Sequence, residues 1–165
     1  MINLHHASDQ GLRTIRHRWL AAASFSLIMV FGTRCATAGE PRVVPSSDGT
    51  PIAYQVQGEG EPTLVFVHGW SCDSRYWRHQ VPAFSSRHRV VTLDLAGHGH
   101  SGSSRTVYSM KAFGEDVLAV LREIGDGPFI LIGHSMGGPV VASAARLSPE
   151  GILGLVAVDT LQNVE

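Results

Sequence analysis

Three short runs constrain the fold of this chain most: Leu64-Val65-Phe66-Val67, Val90-Val91-Thr92-Leu93 and Phe129-Ile130-Leu131-Ile132. Each is apolar or nearly so along its whole length, with no polar residue at every second position. That pattern belongs to strands covered on both faces, as in a parallel sheet. Helical spacing separates the runs. Tyr76, Trp77, Val81 and Phe84 mark one face of a helix predicted over 75–84, although Pro82 works against its later turn. Met110, Phe113, Val117, Val120, Leu121 and Ile124 mark a longer helix that starts near Ser109 and stops at Gly125. A helix rich in small residues (Val140, Val141, Ala142, Ala144, Ala145) and the apolar run Ile152–Val158 follow. Upstream, Arg42–Pro45 and Ile52–Val56 flank the turn-forming Ser46-Ser47-Asp48-Gly49 and predict an edge hairpin. The fold class is therefore α/β, a parallel-rich sheet with helices on both faces joined by right-handed crossovers. Ligands of such sheets bind beyond the carboxyl ends of the strands.

Composition narrows the function classes. A chain of 165 residues with 44% hydrophobic and 16% charged residues suits one globular domain. The formal net charge is −1 and no basic stripe lies beyond the first 18 residues, so nucleic acid is excluded as a partner. At the N-terminus, Arg13, Arg16, His17 and Arg18 precede the apolar stretch Trp19–Gly32, and Ala36-Thr37-Ala38 supplies a cleavage site. Residues 1–38 read as an export signal, leaving 39–165 as the domain in a periplasmic or extracellular setting. The alternative is a retained membrane tether, against which the run falls short of the ~20 residues that a spanning helix needs. Cys72 alone remains after cleavage, so no intramolecular disulfide is expected.

The third strand runs directly into Gly133-His134-Ser135-Met136-Gly137, a G-x-S-x-G pattern with a strand before it and a helix after it. A sharp strand-to-helix turn places the serine in a strained backbone conformation, and the residues two before and two after must be small. Gly133 and Gly137 meet that need. Ser135 is the candidate nucleophile. The Met136 N–H, beside the helix N-terminus, is one candidate donor to an oxyanion, and the Trp70 N–H in His68-Gly69-Trp70 is the second. His68 and Gly69 support that loop, Gly69 by letting the chain bend close. The plainer reading of Ser135 is a helix N-cap, but the strand, the helix and the separate His-Gly-Trp loop together favour a nucleophile. The His134 ring should point away from Ser135 and pack structurally.

Other patterns compete for a role. Gly97-His98-Gly99-His100-Ser101-Gly102 satisfies G-x-G-x-x-G, yet it does not open into a helix as a phosphate cradle must. His98 and His100 with Asp94 could ligate a metal, but a hydrogen-bonded turn is the better reading. Cys72, lacking an activating neighbour, reads as a packed or pocket-wall thiol. No metal and no cofactor are expected.

His68-Gly69-Trp70, Asp94-Leu95-Ala96-Gly97-His98-Gly99-His100-Ser101 and Gly133-His134-Ser135-Met136-Gly137-Gly138 resemble the α/β-hydrolase superfamily over residues 42–165. The resemblance implies an esterase-like or lipase-like hydrolase that acts on a small-molecule ester or acyl substrate through a Ser135 acyl-enzyme. Serine at the elbow speaks against the epoxide-hydrolase and haloalkane-dehalogenase branches, which carry aspartate there. The superfamily order is serine, acid, histidine. Asp159 is the candidate acid, and no histidine follows His134. Residues 39–165 are thus expected to form an incomplete α/β-hydrolase domain, without its C-terminal strands and lid, poor at turnover by itself. A non-catalytic fragment or interaction protein is the alternative. Ile152–Val158 is expected to be an uncovered apolar edge, prone to aggregation.

Overall fold

The computed structural model describes residues 40–160. The signal or tether expectation for residues 1–38 lies outside the described residues. Six strands form one sheet in the order β1-β2-β4-β3-β5-β6. They are β1 (Arg42–Pro45), β2 (Pro51–Gln57), β3 (Thr63–Val67), β4 (Val90–Leu93), β5 (Phe129–His134) and β6 (Ile152–Val158). The hairpin β1–β2 is antiparallel and joins β4 antiparallel; β4, β3, β5 and β6 are mutually parallel. All residues of β3 and β4 are buried, the outcome that their unbroken apolar runs predict.

Two helices cover one face: α2 (Met110–Ile124) and α3 (Gly137–Leu147). Ser109 caps α2, its Oγ accepting from Ala112 N–H at 3.1 Å, and Gly125 ends it at φ 98°. Phe113, Val117, Val120, Leu121 and Ile124 are buried with Val65, Val67, Val91, Leu93 and Leu131. Each such side chain contributes about 1.5–3 kcal/mol through burial. Gly114 permits the close α2–α3 crossing, since a Cβ there would lie 3.0 Å from Ala144 N.

The other face is covered more thinly. The helix predicted over 75–84 is in fact two pieces, a 3-10 turn Ser74–Trp77 and α1 (Gln80–Phe84). Pro82 explains the break: lacking an N–H, it cannot extend a helix from 75, but it fits in the first turn of a new one. Trp77 and Val81 cover Leu64, Phe66, Val90 and Ile132. Beyond them an apolar groove of about 440 Å³ stays open, lined by Phe66, Trp77, Ile130, Ile132, Val156 and Val158 among others. Among the described residues β6 pairs only with β5, and Leu153 and Val156 are 68% and 44% exposed.

One buried polar cluster escaped the sequence reading. Asp116, wholly buried on α2, accepts from Arg105 Nη2 at 2.6 Å, from Ser46 Oγ at 2.6 Å and from Ala96 N–H at 3.2 Å. Arg105 also donates to Asp48, whose carboxyl its guanidinium holds well below the usual carboxylate range. The cluster ties the β1–β2 turn and the segment after β4 to the middle of α2.

Candidate active site

Ser135 sits at φ 51°, in the left-handed region, between the end of β5 and the first residue of α3. A non-glycine residue there is strained and holds only where its surroundings fix it. Here its N–H donates to Val158 O at 3.0 Å, and its carbonyl accepts from Gly138 N–H at 3.0 Å. The flanking glycines have specific neighbours. A Cβ on Gly133 would collide with the Gly137 backbone, and one on Gly137 would lie 2.5 Å from Val67 O. The turn therefore packs against the end of β3 too tightly for any side chain.

The end of β3 brings His68-Gly69-Trp70 alongside. A Cβ on Gly69 would lie 3.0 Å from Ser135 Cβ, so this loop passes directly beside the serine. Among the described residues neither Trp70 N–H nor Met136 N–H donates to a backbone or side-chain acceptor. Two unengaged N–H groups thus lie next to Ser135, one following it in the chain and one in the loop beside it, and the α3 N-terminus adds its partial positive charge. Water or a developing oxyanion is their natural partner.

His68 is fully buried. Its Nδ1 lies 2.8 Å from Gly69 O, and its Nε2 lies 3.0 Å from Leu95 N, which can only donate. Burial pushes its pKa below the ordinary histidine value, against the backbone hydrogen bond to Gly69. Nearby, the Arg75 guanidinium hydrogen-bonds Asp73 and holds its pKa down at about 2. The Trp70 side chain is 65% exposed and meets the His98 ring edge-on at 5.4 Å. His134 stacks on Tyr76 at 4.3 Å, and its buried Nδ1, beside Gly69, has no hydrogen-bond partner among the described residues.

The segment after β4 is a built turn. Asp94 accepts from Ser74 N–H at 2.7 Å and His100 N–H at 2.8 Å, and His98 Nδ1 lies 3.0 Å from Ala96 O. Gly97 N–H and Gly102 N–H bond to Gly102 O and Pro51 O, so these donors are not aimed at a phosphate. Cys72 is half-buried, its N–H bonded to Gly69 O at 3.3 Å. Asp159 follows β6 at φ 47° and is exposed. Its neighbour Thr160 donates from Oγ1 to Ser135 O at 3.3 Å, so the end of β6 adjoins the elbow. Among the described residues the Asp159 side chain has no hydrogen-bond partner.

The model of the alpha/beta hydrolase fold family matches residues 62–165. The chain belongs to this family. Over 107 residues it is 37% identical to a pimeloyl-[acyl-carrier protein] methyl ester esterase of Edwardsiella ictaluri, covering 65% of this chain and 40% of that protein. It is 29% identical over 171 residues to bifunctional epoxide hydrolase 2 of Rattus norvegicus, covering 96% of this chain and 31% of the relative. Among solved structures, an esterase from Rhodococcus sp. ECU1013 superposes with a TM-score of 0.67 at 34% identity, covering 73% of this chain and 46% of that one. The chain spans less than half the length of these relatives.

Proposed function

We propose that this hydrolase-fold chain carries the nucleophile and oxyanion hole of a serine hydrolase acting on small carboxylic esters or related acyl substrates. The observation that carries the reading is Ser135 in a strained φ 51° turn, flanked by the unengaged Trp70 and Met136 N–H groups. Both esterases and epoxide hydrolases are among the relatives, and serine at the elbow favours the ester reading.

In this reading Ser135 Oγ attacks the acyl carbon and gives its proton to a base. The carbonyl electron pair moves onto oxygen, where the Trp70 and Met136 N–H groups and the α3 N-terminus stabilise it. Collapse of the adduct breaks the bond to the alcohol, which leaves with the proton, and water then releases the acid. Asp159 is the candidate acid that would orient a histidine base. No histidine occurs in residues 136–165, so turnover by these 165 residues alone is slow. Triad loss leaves only about 1,000- to 10,000-fold acceleration over water. A non-catalytic interaction role is the competing outcome.

The test is hydrolysis of a short-chain aryl ester by a form of the protein that turns it over, compared with its Ser135→Ala variant. Loss of turnover supports the reading; unchanged turnover overturns it. Export, with residues 1–38 as a cleaved signal or retained tether, is part of the same proposal. The intact mass of the protein recovered from the envelope and medium of producing cells tests it: mature protein beginning at Gly39 supports cleavage, and an intact leader in the membrane fraction supports the tether.

A further inference from the structure

Among the described residues the Gly69–Trp70 peptide is held from one side only. Its carbonyl oxygen has His68 Nδ1 at 2.8 Å and also accepts from Cys72 N–H at 3.3 Å, the second bond closing a turn in which Ser71 adopts φ 56°. In a trans peptide the N–H points opposite to the carbonyl. Whatever fixes Gly69 O toward His68 therefore fixes Trp70 N–H away from it, and the Ser135 turn lies against Gly69.

The far side of the imidazole determines which nitrogen carries the proton. Leu95 N–H can only donate, so Nε2, 3.0 Å away, must accept, and Nδ1 must be the protonated nitrogen that donates to Gly69 O. Resting on the proposed role of Trp70 N–H, we infer that neutral His68, as its Nδ1–H tautomer, is the positioning residue that aims this amide at the oxyanion. A second proton would have to enter at Nε2, opposite the Leu95 N–H, and two donors would then face each other. Burial opposes that proton. Of the charged and titratable groups around the ring, the His98 imidazole at 5.1 Å disfavours it, whereas the Asp94 and Asp73 carboxylates favour it.

Two spectroscopic readouts test this without any turnover. In 15N-labelled protein, long-range 1H–15N correlations should show a protonated Nδ1 and a bare Nε2 for His68. That pattern should persist from pH about 8 to about 5, across the ordinary histidine range. An Nε2–H tautomer, or protonation of His68 within that range, overturns the inference. The second readout is the Trp70 amide resonance in two folded variants. His68→Asn keeps a donor near the Nδ1 position and should leave the resonance close to its original place; His68→Gln, which reaches only toward the Nε2 position, should shift it. Equal effects of the two overturn the inference. Ester assays of Ser135→Ala decide the hydrolase reading separately, so failure of one does not imitate failure of the other.

Discussion

Replacing Arg105 by Met tests the buried cluster on α2. The guanidinium is 3% exposed and the Asp116 carboxylate 0%. Among the described residues, removing the cation leaves Asp116 with only Ser46 Oγ–H and Ala96 N–H as donors. Breaking a buried pair from one side costs about 3–5 kcal/mol, because a charge remains out of water without its partner. The Asp48 contact adds little, since that side chain is 41% exposed. At roughly 4 °C per kcal/mol for a domain of this size, the melting temperature should fall by roughly 12–20 °C. The double variant Arg105→Met/Asp116→Leu removes both charges and leaves the Ala96 N–H and the Ser46 hydroxyl without their acceptor; the hydroxyl can rotate, so the cost is chiefly that of the fixed amide, about 1–3 kcal/mol. Thermal unfolding followed by circular dichroism should therefore rank the double variant above the Arg105→Met single variant. A fall below about 4 °C in the single variant, or costs that simply add in the double, would refute the reasoning. The pH dependence has a definite sign. Asp48 is held below its unfolded pKa by Arg105, so its contribution is present above about pH 4 and is lost as the pH falls. Buried His68 acts in the same direction below the ordinary histidine range, where the unfolded chain takes up a proton that the folded chain resists.

Two further predictions follow from packing. Gly137→Ala would set a Cβ 2.5 Å from Val67 O and 2.8 Å from His68 O, both rigid backbone at the end of β3. It should cost about 1–3 kcal/mol by overpacking, and an unchanged urea midpoint would show that the elbow is looser than described. On β6, Val156→Lys places a charge on an edge that has none, and should raise the soluble fraction of the expressed chain several-fold. An unchanged pellet fraction would clear β6 as the aggregating element.

Much of the fold was legible because its signals are local. The apolar runs at 64–67, 90–93 and 129–132, the helical period from Met110 and the stop at Gly125 each depend on a few neighbouring residues, and each element formed there. The elbow was legible for the same reason: two glycines around a serine between strand and helix already imply a strained backbone, and Ser135 has it. Where a local pattern misled, at 75–84, four apolar positions outweighed one proline whose missing N–H divided the helix.

The tertiary structure decided what depends on distant partners. No local pattern sets the order β1-β2-β4-β3-β5-β6, and the sequence does not mark Asp116, one of three acids on α2, as the acceptor for Ser46, 70 residues away. Nor does it reveal that Leu95, 27 residues beyond His68, selects the tautomer of that ring. The physical reason is common to these cases. Backbone conformation follows from short-range sterics and periodicity, whereas the pairing of a buried polar group is settled only when folding removes water and leaves it one available partner.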